Sequence, residues 1–315
     1  MARPLRITYP GAFYHVTARG NEQKAVFKSK SDRIKFLEYL ESATVRYNAV
    51  IHAYCLMDNH YHLLLETPSG NLPQIMRHIN GAYTTYFNIR RARSGHLFQG
   101  RYKGILVEKD AYAKELSRYI HLNPVRADMV KKPEEHPWCS YGAYVGKMKA
   151  PDWLHRDFIL AYFGKNTARA QKRYRDFVEA LLGREYESPI AAATGASVLG
   201  SNGFVTHIKD CYLCSEDKSR DVPALKQIFA GIALETVIDL VAKSFGDNQA
   251  HQRNAGIYLC RQYTGEKLAT IGRQFGISDA AVSQACKRFK ARIDLDRKLG
   301  KQITAIERKL SKVET

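Results

Sequence analysis

The sequence predicts an α+β domain followed by an all-α region, and three observations carry that expectation. Up to about residue 145, short apolar runs bounded by turn residues alternate with amphipathic stretches. Beyond Tyr144 nearly every periodic segment has helical spacing. Between the two, Gly146-Lys147-Met148-Lys149-Ala150-Pro151 reads as a linker. The expected division is an α+β domain over residues 1–148, a helical linker region over 149–222 and a helical domain over 223–315.

The elements follow in order. Residues 13–19 read as a strand closed by Gly20-Asn21. Residues 31–47 read as an amphipathic helix, with Ile34, Leu37, Leu40 and Val45 on its apolar side and Ser31 or Asp32 as N-cap. Residues 50–57 form a second strand that turns at Asp58-Asn59 into a third, making a hairpin. Residues 72–90 are a helix with Pro73 suitably in its first turn. A basic loop, Arg90-Arg91-Ala92-Arg93-Ser94-Gly95, leads to a strand over 96–107. A helix then runs from about Asp110 to Leu122, stopped by Asn123-Pro124 because the residue before proline resists helical angles. Strand, helix, hairpin, helix, strand, helix suggests an antiparallel sheet with helices packed on it. In the second half, helices are expected over 154–163, 168–182, 223–245, 248–263, 267–275 and 279–293.

The chain has 315 residues, enough for two cores, and 49 Lys+Arg against 31 Asp+Glu give a net charge of +18. Such an excess points to polyanionic partners. No stretch approaches the ~18–20 continuous apolar residues of a membrane span, and Met1-Ala2-Arg3-Pro4-Leu5-Arg6 lacks the apolar run of a signal peptide. Six cysteines (Cys55, Cys139, Cys211, Cys214, Cys260, Cys286) make no disulfide framework in so long a chain. Cys211-x-x-Cys214 with His207 resembles the start of a zinc site, but no second Cys/His pair follows at finger-like spacing. A reduced, cytoplasmic protein is expected.

Met57-Asp58-Asn59-His60-Tyr61-His62-Leu63-Leu64-Leu65-Glu66 is the stretch around which chemistry can be organised. Alternation along a strand puts His60 and His62 on one face, close enough to share one metal ion. Tyr119 and Asn123, four residues apart, share a helix face if Asn123 belongs to the last turn. Two imidazoles and an amide oxygen make an N,N,O set with open positions, suited to Mg²⁺ or Mn²⁺ bridged to a phosphate. By pattern alone, a His-x-His also suits an ordinary core, and an Asn before Pro a helix-ending cap.

Four stretches together narrow the reading: residues 11–21, Cys55 to Glu66, Gln99-Gly100-Arg101-Tyr102-Lys103, and Tyr119-Ile120-His121-Leu122-Asn123-Pro124-Val125-Arg126-Ala127. In this order and at these distances, residues 3–145 resemble the REP-associated tyrosine transposases, within the HUH single-strand nucleases. The middle position of the His-x-His motif is usually apolar there, so Tyr61 is a mild departure. The resemblance implies an HUH/ferredoxin-like fold, His60, His62 and Asn123 as metal ligands, and Tyr119 as nucleophile; Tyr112 is the competing tyrosine. It also implies a divalent cofactor, Mg²⁺ or Mn²⁺, and a preference for single-stranded DNA bearing short palindromic hairpins.

The implied chemistry has a clear physical requirement. With a phenol pKa near 10, only about one tyrosine in a thousand is ionised at neutral pH, a deficit of ~4 kcal/mol that a divalent ion can largely supply. Attack on phosphorus leaves a 5′-phosphotyrosine and a free 3′-hydroxyl, so the bond energy is kept for rejoining, which is strand transfer rather than hydrolysis. No general base is obvious; Glu115 and His121, beside Tyr119, are expected to face solvent.

Arg19, Arg90, Arg91, Arg93, Arg101, Tyr102, Lys103 and Arg126 are expected to track the DNA, cations on phosphates and the aromatic ring on an unpaired base. Residues 267–292 have the pattern of a helix-turn-helix, with Gly276 at the turn and Ser278 or Asp279 capping the second helix. With Arg253 to Cys260 preceding it, the segment over about 224–293 resembles the DNA-binding domain of the bacterial initiator DnaA. Ser283, Gln284, Lys287 and Arg288 are then the expected contacts to duplex DNA. The expectation is a metal-dependent DNA transposase or nickase in the bacterial cytoplasm, associated with the nucleoid, monomeric or dimeric. The rival readings are a non-catalytic DNA-binding regulator and a replication-type HUH nickase.

Overall fold

A computed structural model describes residues 6–213, 232–246, 248–266 and 268–310. Two compact units divide the chain between Gly200 and Ser201.

In the N-terminal unit, strands β1 (Ala12–Arg19), β2 (Val50–Leu56), β3 (His60–Thr67), β4 (Lys103–Val107) and β5 (Val198–Leu199) form one sheet in the order β2-β3-β1-β4-β5. The first four pair antiparallel, as expected; β5 lies parallel to β4, so the sheet is mixed. Helices α1 (Lys30–Tyr47) and α2 (Leu72–Arg90) pack on one face, where the Tyr61 ring lies 4.8 Å from that of Phe36 and its hydroxyl donates to Asn80 Oδ1 at 2.7 Å. On the opposite face Phe13, Ala53, Cys55, Leu64 and Ile105 form a core with Ala113, Leu116 and Ile120 of α3 (Lys109–Arg126). Because β3 alternates, His60 and His62 share this second face with Leu64.

Local departures from the sequence reading have identifiable causes. The cap of α1 is Ser29, whose hydroxyl accepts from the Asp32 N–H at 3.2 Å, and the helix buries Asp32, Phe36, Leu40 and Ala43 while Ile34 and Val45 are exposed. The strand expected over 96–107 begins only at Lys103; the backbone bends at Gly100 (φ 68°), leaving Phe98 a single bridge to Gly20. Helix α3 does not stop before Pro124 but continues to Arg126. Its last turn is held by Ala127 N–H to Asn123 O and Met129 N–H to Pro124 O, both 3.0 Å.

Residues 149–200 pack within the N-terminal unit, so the unit boundary lies beyond the linker read at 146–151. Short helices α4 (Tyr141–Tyr144) and α5 (Asp157–Ala161) and the longer α6 (Thr167–Glu179) bury Tyr141, Ile159, Leu160, Tyr174 and Val178 in the α3 core. The aromatic and aliphatic side chains, rather than the polar stretch before them, decide where this segment sits.

The C-terminal unit contains α7 (Asn202–Ile208), α8 (Leu234–Phe245), α9 (Gln249–Tyr263), α10 (Leu268–Phe275), α11 (Asp279–Leu295) and α12 (Arg297–Leu310). Cys214, the start of the helix expected over 223–245, and Lys267 lie outside the described residues. Val237, Leu259, Ile271, Val282, Phe289 and Ile303 make its core. Helix α12, absent from the sequence reading, buries Leu299, Ile303, Ile306 and Leu310 at helical spacing. The turn between α10 and α11 uses Gly276 at φ 64°, and Ser278 Oγ caps α11 by accepting from Ala281 N–H at 3.3 Å. At Gly272 an added Cβ would stand 2.5 Å from the Ile277 carbonyl, so the close α10 turn needs glycine there. Among the described residues no disulfide forms, and no helix is long and apolar enough to cross a membrane.

Candidate active site

The β2–β3 turn delivers His60 and His62 onto the α3 face. Asn59 Oδ1 lies 2.7 Å from His60 Nδ1. An amide oxygen only accepts, so Nδ1 carries the proton and His60 Nε2 keeps its lone pair. The His60 and His62 rings are 5.1 Å apart. His62 is buried, and its Nε2 has no hydrogen-bond partner.

A third imidazole completes the group. The register pairs Thr17 with His62 and His15 with Leu64, so His15 projects from the centre of β1 onto the same face. Its ring stacks on His62 at 5.2 Å, with Nε2 3.0 Å from His62 Nδ1. From α3, the half-exposed Tyr119 ring stands edge-on to both, 5.8 Å from His62 and 6.0 Å from His15. The Arg126 guanidinium lies over the Tyr119 ring at 5.2 Å and over Tyr186 at 5.1 Å. One turn from Tyr119, Asn123 donates its amide N–H to the Tyr119 carbonyl at 2.8 Å, which leaves Oδ1 as its lone-pair atom.

Burial and neighbouring positive charge hold these imidazoles neutral. His15 is pushed down to about 3 by burial. His60 falls to about 4 through burial and then Arg19, against the opposing Asp58. His62 lies well below its ordinary value through burial, His15, His60 and the two arginines. Neutral imidazole is the metal-binding form. The orphaned His62 Nε2 therefore fits a cation ligand. Among the described residues no trio of His, Cys, Asp or Glu could hold a metal ion, so a site on these histidines would take a donor of another kind, the role the sequence reading expects of Asn123.

Other expected residues are placed differently. His121, expected to face solvent, is fully buried between Ser140 Oγ at 2.8 Å and the Tyr174 hydroxyl at 2.6 Å. Glu115 pairs with Arg118. Tyr112 packs half-buried against the apolar core. Arg91 is committed to the fully buried Asp32, with its guanidinium over Phe87 at 4.1 Å. Tyr102 is half-buried beneath the Arg6 guanidinium at 4.8 Å. Arg90 bonds the Tyr86 hydroxyl at 3.0 Å, and Arg93 the His96 carbonyl at 3.1 Å. Arg19, Arg90, Arg93, Arg101, Lys103 and Arg126 are exposed, as are Gln284, Lys287 and Arg288 on α11; Ser283 is half-buried. Sequence reasoning missed His15 and Tyr186. Alternation of residues 13–19 places His15 with Thr17 and Arg19, but its neighbour across the sheet depends on the register.

Comparison with known proteins gives one family match and two similar proteins. Residues 8–123 match the family described as "Transposase IS200 like". The C-terminal part is similar to the chromosomal replication initiator protein DnaA of Nautilia profundicola, 32% identical over 108 residues, which are 33% of this chain and 23% of that protein. The chain thus spans about a quarter of the length of that relative. A solved REP-associated tyrosine transposase bound to a REP hairpin is similar at 16% identity and a TM-score of 0.41, over 49% of this chain and 92% of that one. Over residues 8–123 the N-terminal unit carries the pattern of the IS200-like transposase family.

Proposed function

We propose that the N-terminal unit is a single-strand DNA endonuclease and strand transferase with Tyr119 as its nucleophile. The observation that carries this reading is the Tyr119 ring standing 5.8 Å from His62 on the face of the sheet that holds the histidines. The phenolic oxygen attacks a backbone phosphorus and the P–O3′ bond breaks. The phenol proton leaves to solvent, and the departing oxygen takes one up as a 3′-hydroxyl. The product is a 5′-phosphotyrosine, which a later 3′-hydroxyl reverses. Arg126, whose guanidinium lies 5.2 Å from the centre of the Tyr119 ring, would stabilise negative charge on the phenol or the phosphate. His60, His62 and Asn123 would hold a divalent ion, Mg²⁺ or Mn²⁺, which supplies Lewis-acid polarisation of the phosphate when bound.

Exposed Arg19, Arg93, Arg101 and Lys103 would lie along the single strand, and the resemblance adds a preference for hairpin-bearing DNA. The C-terminal unit is proposed to bind duplex DNA through α11, whose Gln284, Lys287 and Arg288 are exposed next to a capped N-terminus. A net charge of +18 supports a chain that works on DNA, in this reading at the bacterial nucleoid.

Incubating the full chain with single-stranded hairpin oligonucleotides and Mn²⁺ tests the proposal. The expected product is a denaturation-resistant protein–DNA adduct that chelator suppresses. DNA binding across many hairpins with no adduct would instead favour a regulator.

A further inference from the structure

We infer that His15 is a positioning residue that fixes His62 in its Nδ1–H tautomer, so that the His62 Nε2 lone pair is the atom offered to a metal ion. The inference rests on the metal reading above and deepens it.

One proton lies between His15 Nε2 and His62 Nδ1, 3.0 Å apart, and there are two ways to place it. If His15 donates, His62 must carry its own proton on Nε2, where a buried N–H meets no acceptor. If His62 donates, its Nε2 holds a lone pair instead and the His15 proton sits on Nδ1, which is not among the buried polar atoms left without a partner. A stranded buried donor is the costlier arrangement, and a lone pair is what a cation binds. His60 is treated the same way, with Asn59 Oδ1 at its Nδ1. Each imidazole thus has its inner nitrogen occupied and its Nε2 left over.

His15 is suited to support rather than ligation. Its Nε2 is taken by His62, and among the described residues no trio of histidines or carboxylates could hold a metal. It stands on β1, the strand bonded on both sides by β3 and β4, so its ring has a rigid backbone beneath it. Partners of this kind on ligating histidines typically change metal affinity by about 10–100-fold when removed.

Long-range ¹⁵N–¹H NMR of the metal-free full chain, followed by Mn²⁺ titration watched by EPR, tests the inference. The wild type is expected to show His62 protonated at Nδ1. His15→Leu should lose that preference and weaken Mn²⁺ binding by about 10–100-fold. His15→Gln, whose amide oxygen can accept near the Nε2 position, should restore both. Thermal melts of the two variants verify folding, and the wild-type tautomer needs no variant. His62 protonated at Nε2, or Mn²⁺ affinity unchanged in folded His15→Leu, would overturn the inference while leaving the metal reading intact. A wild type that binds no Mn²⁺ would overturn the metal reading, and the positioning role with it.

Discussion

Tyr61 and His62 are neighbours on one strand, both buried, yet they face opposite sides of the sheet and are treated differently. On the α1/α2 side the Tyr61 hydroxyl is satisfied by Asn80 at 2.7 Å. On the α3 side His62 Nε2 has no partner. Buried polar atoms are normally paired, because leaving one unpaired costs about 1–3 kcal/mol. At this pair of neighbours one face satisfies its buried polar atom and the other leaves His62 Nε2 unpaired, as the proposed metal role requires. Removing a single oxygen from each face should separate the two. Tyr119→Phe is expected to cut adduct formation at least about a thousandfold with the melting temperature unchanged. Tyr61→Phe should keep the adduct and lower stability by about 1–2 kcal/mol in urea unfolding. The contrast breaks if Tyr119→Phe still yields adduct.

The structural face has a charged counterpart. Asp32 is fully buried under α2; burial raises its carboxyl, but Arg91, the Lys28 N–H and the Ser29 contact outweigh it and hold the group below the usual range. Arg91→Ala strands that carboxylate, and a loss of about 3–5 kcal/mol is expected in denaturant unfolding. If Arg91 were chiefly a DNA contact, the variant would weaken single-strand binding without this loss.

On the α3 side the histidines make stability sensitive to mild acid. His121 is kept neutral by burial, down to about 3, so the unfolded chain takes up a proton from pH 6.5 downward that the folded chain refuses. A base with a lowered folded value stabilises nothing extra at high pH and costs stability as pH falls. The expected slope is about 1 kcal/mol per pH unit between 6.5 and the folded value. Glu66 acts in a lower window. The His52 hydrogen bond lowers it, burial opposes, and Lys109 helps bring it to about 2, so its contribution fades only as pH falls below about 4.5. Urea unfolding from pH 6.5 to 5 should therefore show a shallower slope in His121→Gln, and an unchanged slope would remove His121 from this account.

Much of this arrangement is legible in the sequence, and the gaps have a common cause. Helix α2 matches its expected span because Pro73 and the apolar spacing are both local signals. The shared face of His60 and His62 is equally local, since it follows from strand alternation. His15 is not legible, because its meeting with His62 depends on how two strands far apart in sequence register. His121 reads as a surface residue until Ser140, Tyr144 and Tyr174 are folded around it. Proline at 124 argues for a stop, yet the last turn of α3 keeps its remaining bonds and carries Arg126 onto Tyr119. The Ser29-Lys30-Ser31-Asp32 stretch offers several competent caps, and only the backbone selects Ser29.

The smallest expected effect sharpens the difference between charges that hold the fold and charges that meet DNA. Arg101 and Lys103 are exposed, whereas Arg91 is engaged with Asp32. A cation that neutralises one phosphate of a single strand contributes about 0.7 to the slope of log K against log salt concentration. Arg101→Ala and Lys103→Ala should each lower that slope by about this amount, across unrelated sequences and with melting temperatures unchanged. Affinity that falls with the slope unaltered would make these residues base or shape contacts rather than phosphate contacts. Fluorescence anisotropy with a labelled single strand at several salt concentrations distinguishes the two outcomes, and Arg91→Ala in the same titration should leave the slope where it was.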